Sequence, residues 1–341
     1  MKKTMIALAA VAAVGSASAQ VALTGGISFA WIKDIQSRTD GSAKKSLVNS
    51  SAYIDIDATE DLGGGVKVAG HMEFNQDGGW ASGAYADTKS LMVSTPMATL
   101  LLANTRSGGN QAAGLVAPGT GALWEGAFDV ANVISRTGID TAKLMVPVTS
   151  AFTASIAYVE ANTATSVPNA YNGTAFGFGY GDGAGTPALS TYTLGATYAA
   201  SGLKVVGQYN ITSATEDMKT LLKAAGVDDP RLTSYDLSVV YDAGVAKLGF
   251  SYDSPRRTKQ NGTDEAAMLF GVSVPLNAVA SVGANYALRD KNNFFQLGAK
   301  YDLSKRTDVQ AAYGSYTTAG KGLPTGDLVQ DTWTVRLSHA F

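Results

Sequence analysis

Charged side chains that can act on an ion or a polar solute share one face of two neighbouring segments. In residues 66–75 polar and apolar positions alternate, and the charged or titratable ones are Lys67, His71 and Glu73. In residues 47–58, Asp55 and Asp57 alternate with two isoleucines in the same way. A period of two places such residues on one face of an extended strand. The pattern therefore predicts a polar wall that carries both carboxylates and basic groups.

Catalysis and metal binding are two other chemistries that such residues can support. The chain has two histidines, His71 and His339, and no cysteine, which excludes a thiolate nucleophile and a Cys-based metal site. A Ser–His pair built on His71 is conceivable, but the sequence ties no Asp or Asn to it. Asp55, Asp57 and Thr59 alternate along a strand instead of wrapping an ion in a loop. We therefore expect no enzyme, no metal site and no cofactor.

The elements that would position these residues are strands. About sixteen segments alternate between polar and apolar residues or are strongly β-prone. They lie near residues 21–31, 47–58, 66–75, 86–95, 98–105, 132–147, 151–160, 190–199, 202–211, 232–242, 245–253, 264–274, 278–288, 293–301, 307–317 and 330–341. Polar residues on one face and aliphatic or aromatic residues on the other are typical of strands between water and lipid. By the same parity Lys143, beside Leu144 and Val146, faces the water.

The terminal strand shows the alternation most clearly. Its apolar face consists of Trp333, Val335, Leu337 and Phe341, with His339 at the same parity, and the chain stops on that Phe. Thr, Arg and Ser residues occupy the other face. We interpret these four apolar residues as the lipid side of a strand that closes the assembled sheet.

The connections carry independent information, because short and long ones alternate along most of the chain. Residues 60–65 and 200–201 are short connections, whereas residues 106–131 and 161–189 are long ones. Outer-membrane barrels have tight turns at one rim and large loops at the other. A soluble sandwich also alternates, but it has no reason to separate loop lengths. The sequence therefore predicts an all-β fold, a transmembrane antiparallel β-barrel of about sixteen strands.

The first nineteen residues read as a targeting segment. Lys2 and Lys3 precede an apolar stretch, and Ala17-Ser18-Ala19 forms a small-residue cleavage site. We expect a signal peptide over residues 1–19 and a mature barrel domain over residues 20–341. Two of the 26 basic residues lie in the signal peptide, so the mature chain keeps 24 against 28 acidic residues, a net charge of about −4. This balance argues against nucleic acid as a partner.

Three motifs resemble those of a known family. They are the Glu-Asp-Leu-Gly-Gly-Gly-Val-Lys of residues 60–67, the Leu-Ser-Lys-Arg-Thr of residues 303–307 with Tyr313 following, and the terminal residues 335–341. The chain resembles the general porins of the β-proteobacterial type, which are sixteen-stranded outer-membrane channels. The resemblance implies a water-filled channel for passive diffusion of ions and small hydrophilic solutes, set in outer-membrane lipid, and a homotrimer.

The resemblance also implies a constriction, formed where the third long loop folds into the barrel. Arg106 and Arg136, which flank that loop, each resemble an arginine at the family's constriction, and Arg136 needs a bulge at Gly138 to point inward. Glu125 and Asp129 on the loop would then face a basic wall made of Lys67, Arg106, Arg136 and Lys143. Opposed charges of this kind set up a transverse field.

Several alternatives stay open at this point. The loop has Pro118-Gly119 and Trp124-Glu125-Gly126 in place of the family's Pro-Glu-Phe-Gly-Gly motif, so pore size and ion preference do not follow from the resemblance. The charges can also be ordinary solvated residues of the lumen. A substrate-selective channel and a barrel with a mainly structural or adhesive role are the alternative functions.

Overall fold

The chain forms a sixteen-stranded β-barrel in a computed structural model. The structure describes residues 20–36, 43–77, 85–106, 114–119, 138–162, 187–216, 219–220, 232–254, 266–289, 292–318 and 328–341. Nearly all of these residues belong to strands or to the turns between them. Among the described residues, no helix combines the length and the apolar character needed to cross a membrane.

The strands follow one another with little else between them at one rim. Their bounds are β1 Gln20–Gln36, β2 Ala43–Gly63, β3 Val66–Asp77, β4 Tyr85–Ser94, β5 Thr99–Arg106, β6 Gly138–Pro147, β7 Phe152–Asn162, β8 Pro187–Ala200, β9 Leu203–Ala214, β10 Leu232–Asp242, β11 Lys247–Asp253, β12 Ala267–Pro275, β13 Ala280–Arg289, β14 Asn292–Asp302, β15 Thr307–Thr318 and β16 Leu328–Ala340. Each pairs antiparallel with its sequence neighbours, and β16 pairs with β1 to close the barrel.

The predicted fold is thereby confirmed, strand by strand. The largest difference between predicted and observed strand bounds is in β2, which was expected at residues 47–58 and runs from Ala43 to Gly63. Its ladder continues because Asp61 still pairs with Lys67, and Gly63 pairs with Val66 after a bulge. The predicted start of β6 near residue 132 lies outside the described residues.

Closure of the barrel joins the two ends of the described chain. The backbone N–H of Phe341 donates to the carbonyl of Gly25 at 2.9 Å, and the N–H of Gly25 donates back to Phe341 at 3.2 Å. The last strand then pairs from Ala340 against Gly26 to Trp333 against Lys33. Because β16 pairs with β1, none of the described strands is left as an unpaired sheet edge in the membrane.

The alternation predicted from sequence separates two faces of the wall. On β1 the exposed side chains include Leu23, Ile27 and Trp31, whereas Ser28 and Ala30 between them are buried. Aromatic residues meet across strands on the outer face: the ring centroids of Tyr158 and Tyr192 lie 5.1 Å apart. Those of Tyr313 and Trp333 lie 4.9 Å apart. These rings fit the interfacial girdles expected of such a barrel.

Two tight turns show why particular residues stand at the short-loop rim. Ser201 (φ 51°) and Gly202 (φ 80°) form the two-residue connection between β8 and β9. Positive φ at both central residues is the requirement of a type I′ hairpin turn, whose twist matches that of the strands. The connection between β2 and β3 uses Gly63, Gly64 and Gly65, all with positive φ. Only glycine adopts three such conformations in succession without strain.

Candidate functional site

Residues 114–119 lie inside the barrel. They belong to the connection between β5 and β6, yet they contact the inner faces of β11 to β15. Because opposite walls of a sixteen-stranded barrel are eight strands apart, β13 stands across the bore from β5. The connection between β5 and β6 therefore reaches the wall opposite β5 at residues 114–119.

Two buried amide side chains hold this segment. The Oδ1 of Asn285 on β13 accepts a hydrogen bond from the backbone N–H of Ala117 at 3.1 Å. The Nε2 of Gln296 on β14 donates to the carbonyl of Pro118 at 3.1 Å. The two amides also bond to each other, from Asn285 Nδ2 to Gln296 Oε1 at 3.0 Å. They are 1% and 0% exposed, so losing either bond would leave a polar group unpaired away from water.

A third amide extends the attachment toward the last strand. The Oε1 of Gln310 on β15 accepts from the backbone N–H of Gly119 at 3.1 Å. The same oxygen accepts from a guanidinium nitrogen of Arg336 on β16 at 2.8 Å. The cation thus orients the glutamine that binds the segment, and hydrogen bonds to charged groups are among the stronger ones.

Glycines on the inner wall allow the backbone of residues 114–119 to approach the sheet closely. A Cβ built on Gly249, Gly271 or Gly298 would collide with the carbonyl oxygen of Gly114 or Pro118, and one on Gly283 would lie 2.9 Å from Ala117 Cβ. These four glycines occupy consecutive strands, β11 to β14, and they share the inward parity. We call these four residues the glycine lane. A backbone can approach a sheet this closely only where side chains are missing.

An apolar cluster inside the barrel completes the attachment. Leu115 packs against a cluster of buried side chains on the inner wall, formed by Ala267, Leu269, Ala287, Phe294 and Ala312. The inner face is therefore apolar at these positions of β12 to β15. The physical reason is that the segment covers these residues, so they meet protein instead of pore water.

The opposite wall carries the charges predicted from parity. On β3, Lys67 is exposed and shares its strand face with His71 and Glu73, whereas Met72 and Phe74 on the other face are exposed to the outside. On β6, Lys143 pairs with Leu101 and with the buried Ala157 on the inward face.

Cross-strand pairing brings four of the predicted lumen residues together. Asp55 lies opposite Glu73, and Asp57 lies opposite His71, in the register of β2 and β3. The Oδ1 of Asp57 is 2.8 Å from Nδ1 of His71, a hydrogen bond between half-buried side chains. One ligand atom each of Asp55, His71 and Glu73 lies within 4.8 Å of the others. The sequence placed these residues on one wall but did not show that they form a cluster.

The remaining predicted site residues lie wholly or partly outside the described part. Arg106 ends β5 and its backbone pairs with Gly138, but its side chain is not described. Glu125, Asp129 and Arg136 all lie outside the described residues. The basic and acidic halves of the expected constriction therefore stay a prediction.

Sequence reasoning missed the residues that attach the segment. Asn285, Gln296 and Gln310 look like ordinary polar positions of lumen-facing strands. The signal that marks their region is the glycine lane, since glycine at inward positions of four consecutive strands indicates a close backbone approach.

Comparison with known proteins identifies what this architecture is similar to. A family model described as Gram-negative porin matches residues 5–321. The chain is 26% identical over 332 residues to outer membrane porin protein 32 of Delftia acidovorans, covering 92% of this chain and 88% of that one. It is 27% identical over 158 residues to an outer membrane porin protein of Bordetella pertussis, covering 36% of this chain and 40% of that one.

Solved structures agree on the fold. The anion-selective porin from Comamonas acidovorans superposes with a TM-score of 0.64 at 19% identity, covering 95% of this chain and 100% of that one. The outer membrane protein OmpT of Vibrio cholerae, in its trimer form, superposes with a TM-score of 0.59 at 12% identity, covering 95% and 100%.

Proposed function

The chain belongs to the Gram-negative porin family, and on that premise we propose that its third long loop folds into the lumen and narrows it. The protein is an outer-membrane porin, a water-filled channel through which ions and small hydrophilic solutes diffuse passively. The proposal concerns how this channel selects what passes.

The observation that carries the proposal is the hydrogen bond from Ala117 to Asn285 across the bore. A loop fixed at that point has to span the lumen twice, once from β5 and once back to β6. The residues on either side of the fixed point then reduce the open cross-section. Glu125 and Asp129 follow Ala117 by eight and twelve residues on the same loop, so we propose that they lie at the constriction.

We assign the basic side of the constriction to Lys67, Arg106, Arg136 and Lys143. Opposed acidic and basic groups across a narrow opening produce a transverse field that orders water and biases ion passage. Salt screens such fields over about 8–10 Å at physiological ionic strength, so selectivity should weaken as salt rises. The ion selectivity of the channel and its dependence on salt are therefore the properties to measure.

Single-channel recording in planar bilayers tests the assignment. Lys67→Glu and Arg106→Glu should each shift the reversal potential under a KCl gradient toward cation preference. Lys305→Glu is the matched control, because Lys305 is an exposed residue of the turn between β14 and β15. Unchanged reversal potentials in both test variants would remove these residues from the constriction.

We further propose that the protein is a homotrimer. The outward positions of β4, β5 and β6 that the structure describes carry aliphatic or polar side chains and no aromatic ring. An outward depression of about 690 Å³ lies over this sector, lined in part by Ile56, Met72, Leu91 and Leu102, and at its β7 edge by the girdle residue Tyr158. A sector without girdle rings suits contact with a second copy better than contact with lipid headgroups.

We propose no catalytic role, although three residues of the lumen wall have part of the geometry of a catalytic triad. Asp57, His71 and Ser90 lie in one cross-strand row, and the Asp–His hydrogen bond of a triad is present. The family consists of channels, and we propose that this row serves the lumen wall. Ester hydrolysis by the purified protein that is abolished by Ser90→Ala would contradict this.

We also propose that the signal peptide is removed between Ala19 and Gln20. Gln20 is the first residue of β1, where it pairs with Thr59 of β2. Cleavage at this point leaves the first strand intact. N-terminal sequencing of protein isolated from outer membranes tests the position, and a mature chain that begins inside β1 would contradict it.

A further inference from the structure

The cluster of Asp55, His71 and Glu73 on the inner wall has the composition of a metal site. Two carboxylates and one imidazole are the donors that Zn²⁺ and similar divalent transition metals use in proteins. One ligand atom from each residue lies within 4.8 Å of the other two. Around a tetrahedral zinc ion, ligands about 2.0–2.2 Å from the metal lie about 3.3–3.6 Å apart, so binding would draw these atoms together by up to about 1.5 Å.

The way the cluster is built explains how the ligands would be held. Asp55 and Glu73 are directly opposed on β2 and β3, and His71 lies two residues from Glu73 on the same face. Both strands belong to the paired wall, so the backbone under the ligands is fixed. Sites built on strands hold ligand geometry better than sites on loops.

Asp57 supplies the support that a metal-binding histidine requires. Its Oδ1 lies 2.8 Å from His71 Nδ1, and a hydrogen bond donated by Nδ1–H leaves the lone pair of Nε2 for a metal. A carboxylate that orients a histidine from behind is the usual arrangement around bound zinc, and it also raises the basicity of the ligand. The same bond distinguishes His71 from an ordinary lumen histidine.

An independent observation points to a positively charged partner. The Oδ1 atom of Asp55 is shielded from solvent and has no hydrogen-bond donor among the described residues. A carboxylate oxygen without water or a donor is unfavourable, and a coordinated cation satisfies it.

We propose that Asp55, His71 and Glu73 bind one divalent transition-metal ion, Zn²⁺ being the probe of choice, on the lumen wall of β2 and β3, with Asp57 positioning the histidine. The open side of the site faces the lumen, so pore water completes the coordination. A bound dication reverses part of the negative charge of this wall. Zinc in the surrounding medium should then shift the channel toward anions.

Direct binding is the first test. Untagged full-length mature protein in detergent is titrated with ZnCl₂ by calorimetry, and Co²⁺ is added separately to record its visible absorption. Wild type should bind one Zn²⁺ per chain and give Co²⁺ a ligand-field spectrum. His71→Ala should weaken binding more than about tenfold, and Asp57→Asn should weaken it about 10–100-fold, the usual effect of losing such a support.

The chain offers a matched control in its only other histidine. His339 lies on the outer face of β16, where its Nδ1 is 2.9 Å from Thr307 Oγ1, and His339→Ala should bind zinc as wild type does. Glu73→Gln is the second ligand variant, in case His71→Ala does not fold. Absence of saturable binding in wild type, or equal binding in the ligand variants, overturns the proposal.

Bilayer recordings supply a second readout that separates this site from the channel itself. Micromolar Zn²⁺ should shift the reversal potential of wild type toward anions, whereas the same concentration of Mg²⁺ should not. His71→Ala should lose the zinc response, measured as the difference between its own reversal potentials with and without zinc. A zinc response that persists in His71→Ala contradicts the site.

Discussion

Gln296 and Pro118, which are 178 positions apart in the sequence, are joined by a hydrogen bond of 3.1 Å from the amide Nε2 to the carbonyl oxygen. The bond connects the middle of β14 to a segment that starts from the opposite wall. It makes the third long connection part of the lumen surface, and it lies in a set of buried amides that includes Asn285. The permeability of the channel should therefore depend on uncharged residues such as Gln296 and Asn285 as well as on charged ones.

Gln296→Leu should loosen the attached segment. The substitution removes the donor to Pro118 and the acceptor of Asn285, and each unpaired buried group costs about 1–3 kcal/mol. We expect a lower urea midpoint for unfolding in detergent and larger or noisier single-channel currents. Asn293→Ala on the opposite face of the same strand is the control, and normal currents in Gln296→Leu would show that the segment is held by other contacts.

Gly298→Ala should displace the segment without removing a hydrogen-bonding group. The added methyl group would collide with the carbonyl oxygen of Pro118. Overpacking of this kind typically costs about 1–3 kcal/mol. Gly207→Ala is the matched control, because a Cβ there meets nothing within 4 Å. Altered conductance in the first variant alone is expected from bilayer recordings, and equal behaviour of the two would argue against the close approach.

Lys143→Glu should change ion preference. Lys143 faces inward on β6, across the bore from the attached segment, and the substitution changes the local charge by two. In bulk water a change of two unit charges is worth about 1 kcal/mol for a monovalent ion about 8 Å away; it lowers the energy of a cation and raises that of an anion, so the cation-to-anion permeability ratio changes by up to about thirtyfold before salt screening. Reversal potentials should show the shift at low salt and lose much of it at high salt. A shift that does not depend on salt would point to a structural change instead.

Deletion of Phe341 should impair closure of the barrel. Its backbone exchanges two hydrogen bonds with Gly25, and a Cβ on Gly25 would lie 2.7 Å from its ring. Without this contact the first and last strands lose the final pair of their ladder. We expect a smaller fraction of heat-modifiable folded protein on unheated gels. Phe152→Ala, an aromatic at the same rim away from the seam, should fold normally, and equal yields in both would contradict a special role for Phe341.

Leu102→Gln should weaken the proposed trimer. Leu102 lines the outward depression between β2 and β7, whereas Leu194 on β8 is an exposed leucine beside the girdle residue Tyr192. Leu194→Gln serves as the control for the general cost of a polar side chain on the outer face. Light scattering of the purified protein should show smaller assemblies for the first variant only. Equal masses for the two variants would place the subunit contact elsewhere.

The alternation of residues such as Trp333, Val335 and Leu337 was enough to predict the strands, their faces and the short turns. These features are local, because a side chain's face depends only on its parity along the strand. For the same reason parity alone assigned Lys67, Lys143, Asp55, Asp57, His71 and Glu73 to the polar face of their strands.

Only the tertiary structure decided which residues meet. The bulge between Asp61 and Gly63 sets the register of β2 and β3, and this register places Asp57 against His71 and Asp55 against Glu73. The contact of Ala117 with Asn285 depends on closure of all sixteen strands, which curves the far wall to within reach of the segment. Parity along one strand contains no information about the distance from Asp57 to His71 or from Ala117 to Asn285. Both distances depend on pairing between strands and on closure of the barrel.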